Sequence, residues 1–271
     1  AQVLNLTQPA VSQHIRYLEE QYDTPLFIRE KKKLYLTDAG QILKDSLETL
    51  QSDDHRMKIR MQQSMAGKKG LTFGVTMTIG EYAVIPSLAR FLKAHPQWEI
   101  HICYGNTQTL LSRLREGTLD FAIVEGYFRE DLYTTRILQK EPFIGVASSK
   151  HIFQKPVSCL RDLTGERLLL REHGSGTRAI LTKILALNNL SAEDFSHIIE
   201  IENIHAIVSL LREDCGISFL YQSAVQKELE DKTLIEIPLS DFKIAHDFSF
   251  IWNKDSIFSA QYEAIFQELQ K

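Results

Sequence analysis

Leu6-Thr-Gln-Pro-Ala-Val-Ser-Gln-His-Ile-Arg-Tyr-Leu-Glu-Glu20 is the stretch on which the reading of this chain turns. Thr7 is placed to cap a helix, and Pro9 falls in its first turn, where a missing N–H costs nothing. At about 100° per residue, Val11, Ile15, Leu18 and Tyr22 line one stripe, while Pro9, Ser12, Gln13 and Arg16 lie opposite. The stripe predicts a core-facing side. The other face is polar and uncharged apart from Arg16, which suits base edges in a major groove or an ordinary solvated surface. Asp23-Thr24-Pro25 ends the helix, and Leu26–Arg29 and Leu34–Leu36 read as short strands joined by Lys31, Lys32 and Lys33. A helix followed by a hairpin with a basic tip is the layout of a winged helix-turn-helix, and phosphates would attract the tip.

Together with Pro25-Leu-Phe-Ile-Arg29 and Leu36-Thr-Asp-Ala-Gly40, the opening stretch resembles the N-terminal domain of LysR-type transcriptional regulators. The resemblance implies that Gln8, Pro9, Ser12, Gln13 and Arg16 lie at double-stranded DNA, with Arg29, Lys31, Lys32 and Lys33 on the backbone. It also implies another helix before this one. A chain opening at Ala1, inside the family's second helix, is expected to fold poorly at its N-terminus and to bind DNA weakly.

Thr37 can cap a long helix reaching about Met65. In it Leu43, Leu47, Leu50, Met57 and Met61 recur on three- and four-residue steps, interrupted at Asp54. At 1.5 Å per residue it would span roughly 40 Å. This predicts a coiled-coil seam holding a dimer or tetramer, matching the family's linker helix, with Ala66-Gly-Lys-Lys-Gly70 as a hinge. The expected domains are residues 1–37 (winged head, first helix missing), 38–66 (linker) and 70–271 (effector-binding).

From Leu71 strands and helices alternate, indicating parallel βαβ units. The expected strands are 71–75, 99–104, 120–124, 143–147, 168–171, 199–202, 217–220 and 248–252, with a first helix over 78–93. Two α/β lobes are implied, lobe I at about 70–142 and 245–271 and lobe II at about 143–244, and the resemblance adds a fold like type 2 periplasmic binding proteins with a ligand between the lobes. Helix N-termini favour anions. Thr76-Met-Thr-Ile-Gly-Glu81 follows a strand at the ligand-bearing edge, although Thr78 and Glu81 also form a capping-box pattern. Arg171-Glu-His-Gly-Ser-Gly-Thr-Arg178 is a glycine-rich turn into a helix, without the spacing or lysine of a nucleotide loop. Thr76, Thr78, His173, Ser175, Thr177, Arg178 and Asn203 are the effector-binding candidates, although Asn106 and Asn203 also read as helix caps. Glu125 is noted only as ending a strand, and Cys215 as a small buried residue.

The donors suit a small anionic effector, and similarity of 78–82 and 171–178 to LysR-type branches for cysteine biosynthesis, sulphite handling and carbon fixation narrows it to a sulphur oxyanion. A phosphorylated metabolite or carboxylate would satisfy the same donors. The net charge of −4 divides into +2 over residues 1–70 and −6 over 71–271, which permits a DNA-binding head. Three scattered cysteines and no signal peptide or membrane span fit a reducing cytoplasm. A transport-type solute-binding protein would share the C-terminal architecture but not the head. An α/β enzyme would need a nucleophile, metal or cofactor signature such as Gly-x-Ser-x-Gly, His-Glu-x-x-His or Gly-x-Gly-x-x-Gly; none occurs, and no cofactor or metal is expected.

Overall fold

The computed structural model describes residues 5–31, 33–67 and 69–270 and divides into two compact bodies, residues 1–51 and 52–271. Lys32 lies outside the described residues. In the first body, α1 (Gln8–Gln21) begins where the Thr7 hydroxyl accepts from Ala10 N at 3.4 Å. Val11, Ile15 and Leu18 are half-buried, whereas Tyr22 is exposed because it stands at the C-cap, past the last helical residue. Glu19 then turns back to accept from Leu26 N at 2.8 Å and Phe27 N at 3.3 Å, tying α1 to the wing. The wing pairs β1 (Phe27–Glu30) with β2 (Lys33–Leu36) antiparallel, Phe27 opposite Leu36 and Glu30 opposite Lys33. Thr37 donates to Pro25 O at 2.7 Å and accepts from Gly40 N at 3.0 Å, capping α2 (Asp38–Met65) as its position suggested.

The second body includes the end of α2, so the compact unit starts at Ser52 rather than at residue 70. The reason is ionic. Arg56 and Asp120 form a buried pair, Arg60 reaches Asp120 at 2.8 Å, and Asp120 also accepts from Thr72 N at 2.8 Å and Tyr262 at 3.3 Å. Asp53 accepts from Ser256 at 2.6 Å and Ile257 N at 2.9 Å. Gly117, at φ +72°, makes room for this docking, since a Cβ there would meet Ser52 O at 2.5 Å. The opposite side of α2, with Leu47, Leu50, Met57 and Met61, is exposed.

One sheet of nine strands organises this body, in the order β4 (Trp98–Tyr104), β3 (Lys69–Val75), β5 (Phe121–Val124), β11 (Ile244–Asn253), β6 (Tyr133–Ser148), β9 (Ile217–Tyr221), β7 (Arg167–Arg171) and β8 (His197–Ile201), with β10 (Leu234–Glu236) also on β6. Strands β3, β4 and β5 are parallel, as are β7, β8 and β9. Between the two sets, β6 and β11 run antiparallel from Phe143 opposite Ile244 to Tyr133 opposite Asn253. Two parallel α/β halves therefore share a pair of long crossing strands. The first carries α3 (Ile85–Ala94), α4 (Thr107–Arg115) and α8 (Ser259–Leu269); the second carries α5 (Gly176–Leu187), α6 (Ile204–Arg212) and the short α7 (Gln226–Glu230). The core is apolar and aromatic. Phe121 stacks between Phe73 at 4.8 Å and Phe250 at 4.3 Å.

The helix expected over 78–93 is broken into a π turn at Ile79–Ala83 and α3. Thr78 already has helical φ and ψ and makes no side-chain cap bond, so the expected capping box is not formed. Cys215 is half-buried rather than buried.

Candidate functional site

Residues at the ends of β3, β5 and β7 converge between the halves. Thr76 follows β3 and Glu125 follows β5, so both stand at the C-terminal edge of parallel strands, the ligand side of such sheets. The Thr76 hydroxyl donates to one oxygen of the Glu125 carboxylate, and Thr177, in the first turn of α5, donates to the other at 3.4 Å. Thr107, at the start of α4, donates to the Glu125 carbonyl at 2.8 Å. Thr76, Thr177 and Glu125 are each at most 3% exposed. The halves touch here through backbone: a Cβ on Gly176 would meet the Glu125 carbonyl oxygen at 2.2 Å. Only glycine allows that approach.

The electrostatics centre on Glu125. Burial raises its carboxyl above the usual range, opposed by the Thr76 hydroxyl, the charge of Arg171 and the Thr177 hydroxyl. Arg171 is itself held by Glu172 through two bonds of 2.8 and 3.1 Å. Burial, and next the Glu125 carboxylate, hold the Tyr221 phenol well above its ordinary value. Ser175 Oγ, at the N-cap of α5, and the Tyr221 hydroxyl are buried without hydrogen-bond partners among the described residues. An unsatisfied buried hydroxyl costs roughly 1–3 kcal/mol, so both are poised to accept a partner.

The other candidates are spread around this centre. Thr78 is buried near the π turn without a cap bond. Arg178 is already paired, donating to Glu200 and to Arg171 O at 3.0 Å and lying 3.0 Å from His173 Nε2. Bonding to Arg178 holds Glu200 below the usual carboxylate range. Asn203 caps α6 by accepting from Ala206 N at 2.9 Å, and Asn106 caps α4 likewise at 3.0 Å. A groove of about 550 Å³ beside the centre is lined by Tyr104, Asn106, Arg171, His173, Glu200 and Asn203, among others. His205 on α6 bridges the halves, 3.0 Å from both Tyr82 Oη and Glu81 Oε2. Sequence reasoning missed Glu125 as a site residue. Its signal was available, since Glu125-Gly126 follows a wholly apolar strand at the same sheet edge as Thr76.

In the first body, Gln8, Pro9, Ser12, Gln13 and Arg16 are all exposed on α1, and Gln8 donates to Ser12 at 3.2 Å. Arg29, Lys31 and Lys33 are exposed on the wing. Among the described residues no helix is long and apolar enough to cross a membrane.

A winged helix-turn-helix head joined to a two-halved α/β body with a polar cleft defines a ligand-responsive DNA-binding regulator. Residues 67–271 match the LysR substrate binding domain, and residues 1–41 match the bacterial regulatory helix-turn-helix protein, lysR family. The chain belongs to the LysR family of transcriptional regulators, which are not enzymes. It is 30% identical over 257 residues to the HTH-type transcriptional activator CmpR of Synechocystis sp., covering 94% of this chain and 83% of the relative. It is 27% identical over 253 residues to the HTH-type transcriptional regulator CysL of Bacillus subtilis, covering 93% and 84%. In fold it matches the Synechocystis PCC6803 CcmR regulatory domain in complex with 2-PG, with a TM-score of 0.66, 19% identity, and coverage of 75% of this chain and 96% of that one.

Proposed function

We propose that this chain is a cytoplasmic, homo-oligomeric regulator whose C-terminal cleft senses a small oxyanion and thereby changes how its winged heads sit on promoter DNA. The observation that carries this reading is the meeting of Thr76 from one half and Thr177 from the other on a single carboxylate. Each hydroxyl has one proton to donate, so on turning from Glu125 the two could donate instead to two oxygens of an oxyanion. The unpartnered Ser175 Oγ at the start of α5 supplies a further donor in a buried setting. The effector-binding set is Thr76, Thr78, His173, Ser175, Thr177, Arg178 and Asn203. A sulphur oxyanion is the sharpest form of the proposal. The CcmR regulatory domain, with its bound 2-PG, supports the broader class of small anionic metabolites.

In the head, Gln8, Pro9, Ser12, Gln13 and Arg16 would meet base edges, and Arg29 with Lys31, Lys32 and Lys33 the phosphates. The exposed stripe of Leu47, Leu50, Met57 and Met61 on α2 would pair two copies. The test is calorimetry of the full chain with sulphite, sulphate, phosphoglycolate and small carboxylates. Thr76→Ala, Ser175→Ala and Arg178→Ala should each weaken oxyanion binding by roughly 1–3 kcal/mol, the range for charged or charge-assisted hydrogen bonds. Unchanged affinity in all three variants would overturn the site.

A further inference from the structure

The carboxyl group of Glu125 is buried where the two halves meet, and nothing in the family assignment gives it a role. Each of its oxygens is bound by a hydroxyl from a different half. The surroundings are nearly dry and supply little compensating charge. Arg171 on β7 is the cation that acts on it, and that cation is shared with Glu172. Tyr221 on β9 faces it as a phenol, and Glu141, Tyr127 and Asp247 act on Tyr221. Thr107 on α4 is neutral and is engaged with the Glu125 carbonyl.

An ionised oxyanion gripped by Thr76 and Thr177 would therefore share a buried site with a carboxylate. Two anionic groups that present only acceptors to each other in such a site repel with no hydrogen bond between them, so one of the pair must carry a proton to bridge them. Either the effector brings its own O–H and donates it to Glu125, or Glu125 takes a proton from solvent as the effector binds.

We propose that Glu125 is the specificity-determining residue of the cleft, accepting oxyanions that carry a proton and disfavouring fully ionised ones. The proposal rests on the oxyanion reading of the site. Hydrogen phosphate, hydrogen sulphite and singly protonated phosphate esters can donate a hydrogen bond to the carboxylate, whereas sulphate presents only acceptors. The same residue then gives sulphate binding a pH dependence that phosphate binding lacks, because only sulphate must draw a proton from solution.

Inorganic phosphate and sulphate are the probes, titrated into the full chain by calorimetry from about pH 8 to about pH 5.5, a range over which sulphate stays ionised and phosphate keeps at least one proton. At the upper end phosphate should bind at least about tenfold tighter than sulphate. Sulphate affinity should rise by up to about tenfold per pH unit as pH falls, with uptake of one proton. Glu125→Gln keeps the shape and removes the charge, so it should tighten sulphate binding at least about tenfold at the upper pH and flatten its slope. The pH series on the unaltered protein needs no variant and decides the matter if Glu125→Gln fails to fold. Equal affinities for the two anions, a flat sulphate profile and no effect of Glu125→Gln, with Thr76→Ala still weakening both anions, would overturn this proposal alone. Absence of binding by either anion to wild-type protein and variant would overturn the oxyanion reading, and this proposal with it.

Discussion

Replacing Asp120 with alanine should cost more stability than the removal of any exposed charge in the chain. Its carboxylate is fully buried and accepts from Arg56, Arg60, Thr72 N and Tyr262. The Arg56 side chain is only 3% exposed, so Asp120→Ala leaves a guanidinium in the interior whose nearest remaining acceptor is Thr118 O at 3.5 Å. Breaking a buried pair from one side typically costs about 3–5 kcal/mol, because the surviving charge is neither paired nor hydrated. A domain of this size has about 5–15 kcal/mol in total. At roughly 2–4 °C per kcal/mol, the melting temperature should fall by about 6–20 °C, read by scanning calorimetry of the 52–271 transition. A double variant, Arg56→Met with Asp120→Asn, removes both charges and should recover much of the loss, as apolar replacement of buried pairs often does. A melting temperature within about 1 °C of the parent for Asp120→Ala would refute the claim that this ion pair locks the end of α2 to the α/β body.

Three further outcomes follow from the same geometry. Lys31→Ala or Lys33→Ala should weaken binding to all DNA sequences alike and reduce the salt slope by about one per lost phosphate contact; a titration series in salt checks this, and a change of sequence preference would contradict it. Leu47→Asp should dissociate the assembly by placing a charge in the exposed apolar stripe of α2, which light scattering would register as a loss of mass; an unchanged mass would rule out that stripe as the seam. Tyr82 is pushed up to about 12, by burial first and then by Glu81, from an ordinary value near 10. Its folded form holds the proton more tightly, so its stabilising share is complete below about pH 10 and is lost as pH rises towards 12; Tyr82→Phe should flatten that part of an alkaline unfolding profile, and an identical profile would speak against it.

Much of this architecture was legible in the sequence, and the exceptions share a cause. Thr7, Pro9 and Thr37 announced their helices because capping is a local event, decided by residues within one turn. The largely apolar segments at 71–75, 120–124 and 217–220 announced parallel strands, observed at Lys69–Val75, Phe121–Val124 and Ile217–Tyr221, because both faces of such a sheet are covered. By contrast, the sequence marks β6 only from Phe143 onward, since Thr134–Lys140 is largely polar and pairs with β11 from more than a hundred positions away. The docked face of α2 was illegible for a related reason. Periodicity assigns apolar residues to interfaces and polar ones to water, whereas here Ser52, Asp53 and Arg56 are buried by partners at 114–120 and 253–257. Thr76 and Thr177 were legible as hydroxyls at element boundaries. Glu125, which joins them, was legible only as an acid ending a strand at the same sheet edge as Thr76; its meeting with Thr177 depends on the second half of the body folding against it.

The proposed effector is a compact oxyanion held between the halves. Mass spectrometry of small molecules released from the protein as purified tests it most directly, using wild type beside Thr76→Ala. A small oxyanion, either a sulphur oxyanion or a phosphorylated acid, should be released by wild type and depleted in the variant. An apolar aromatic compound released equally by both proteins would contradict it.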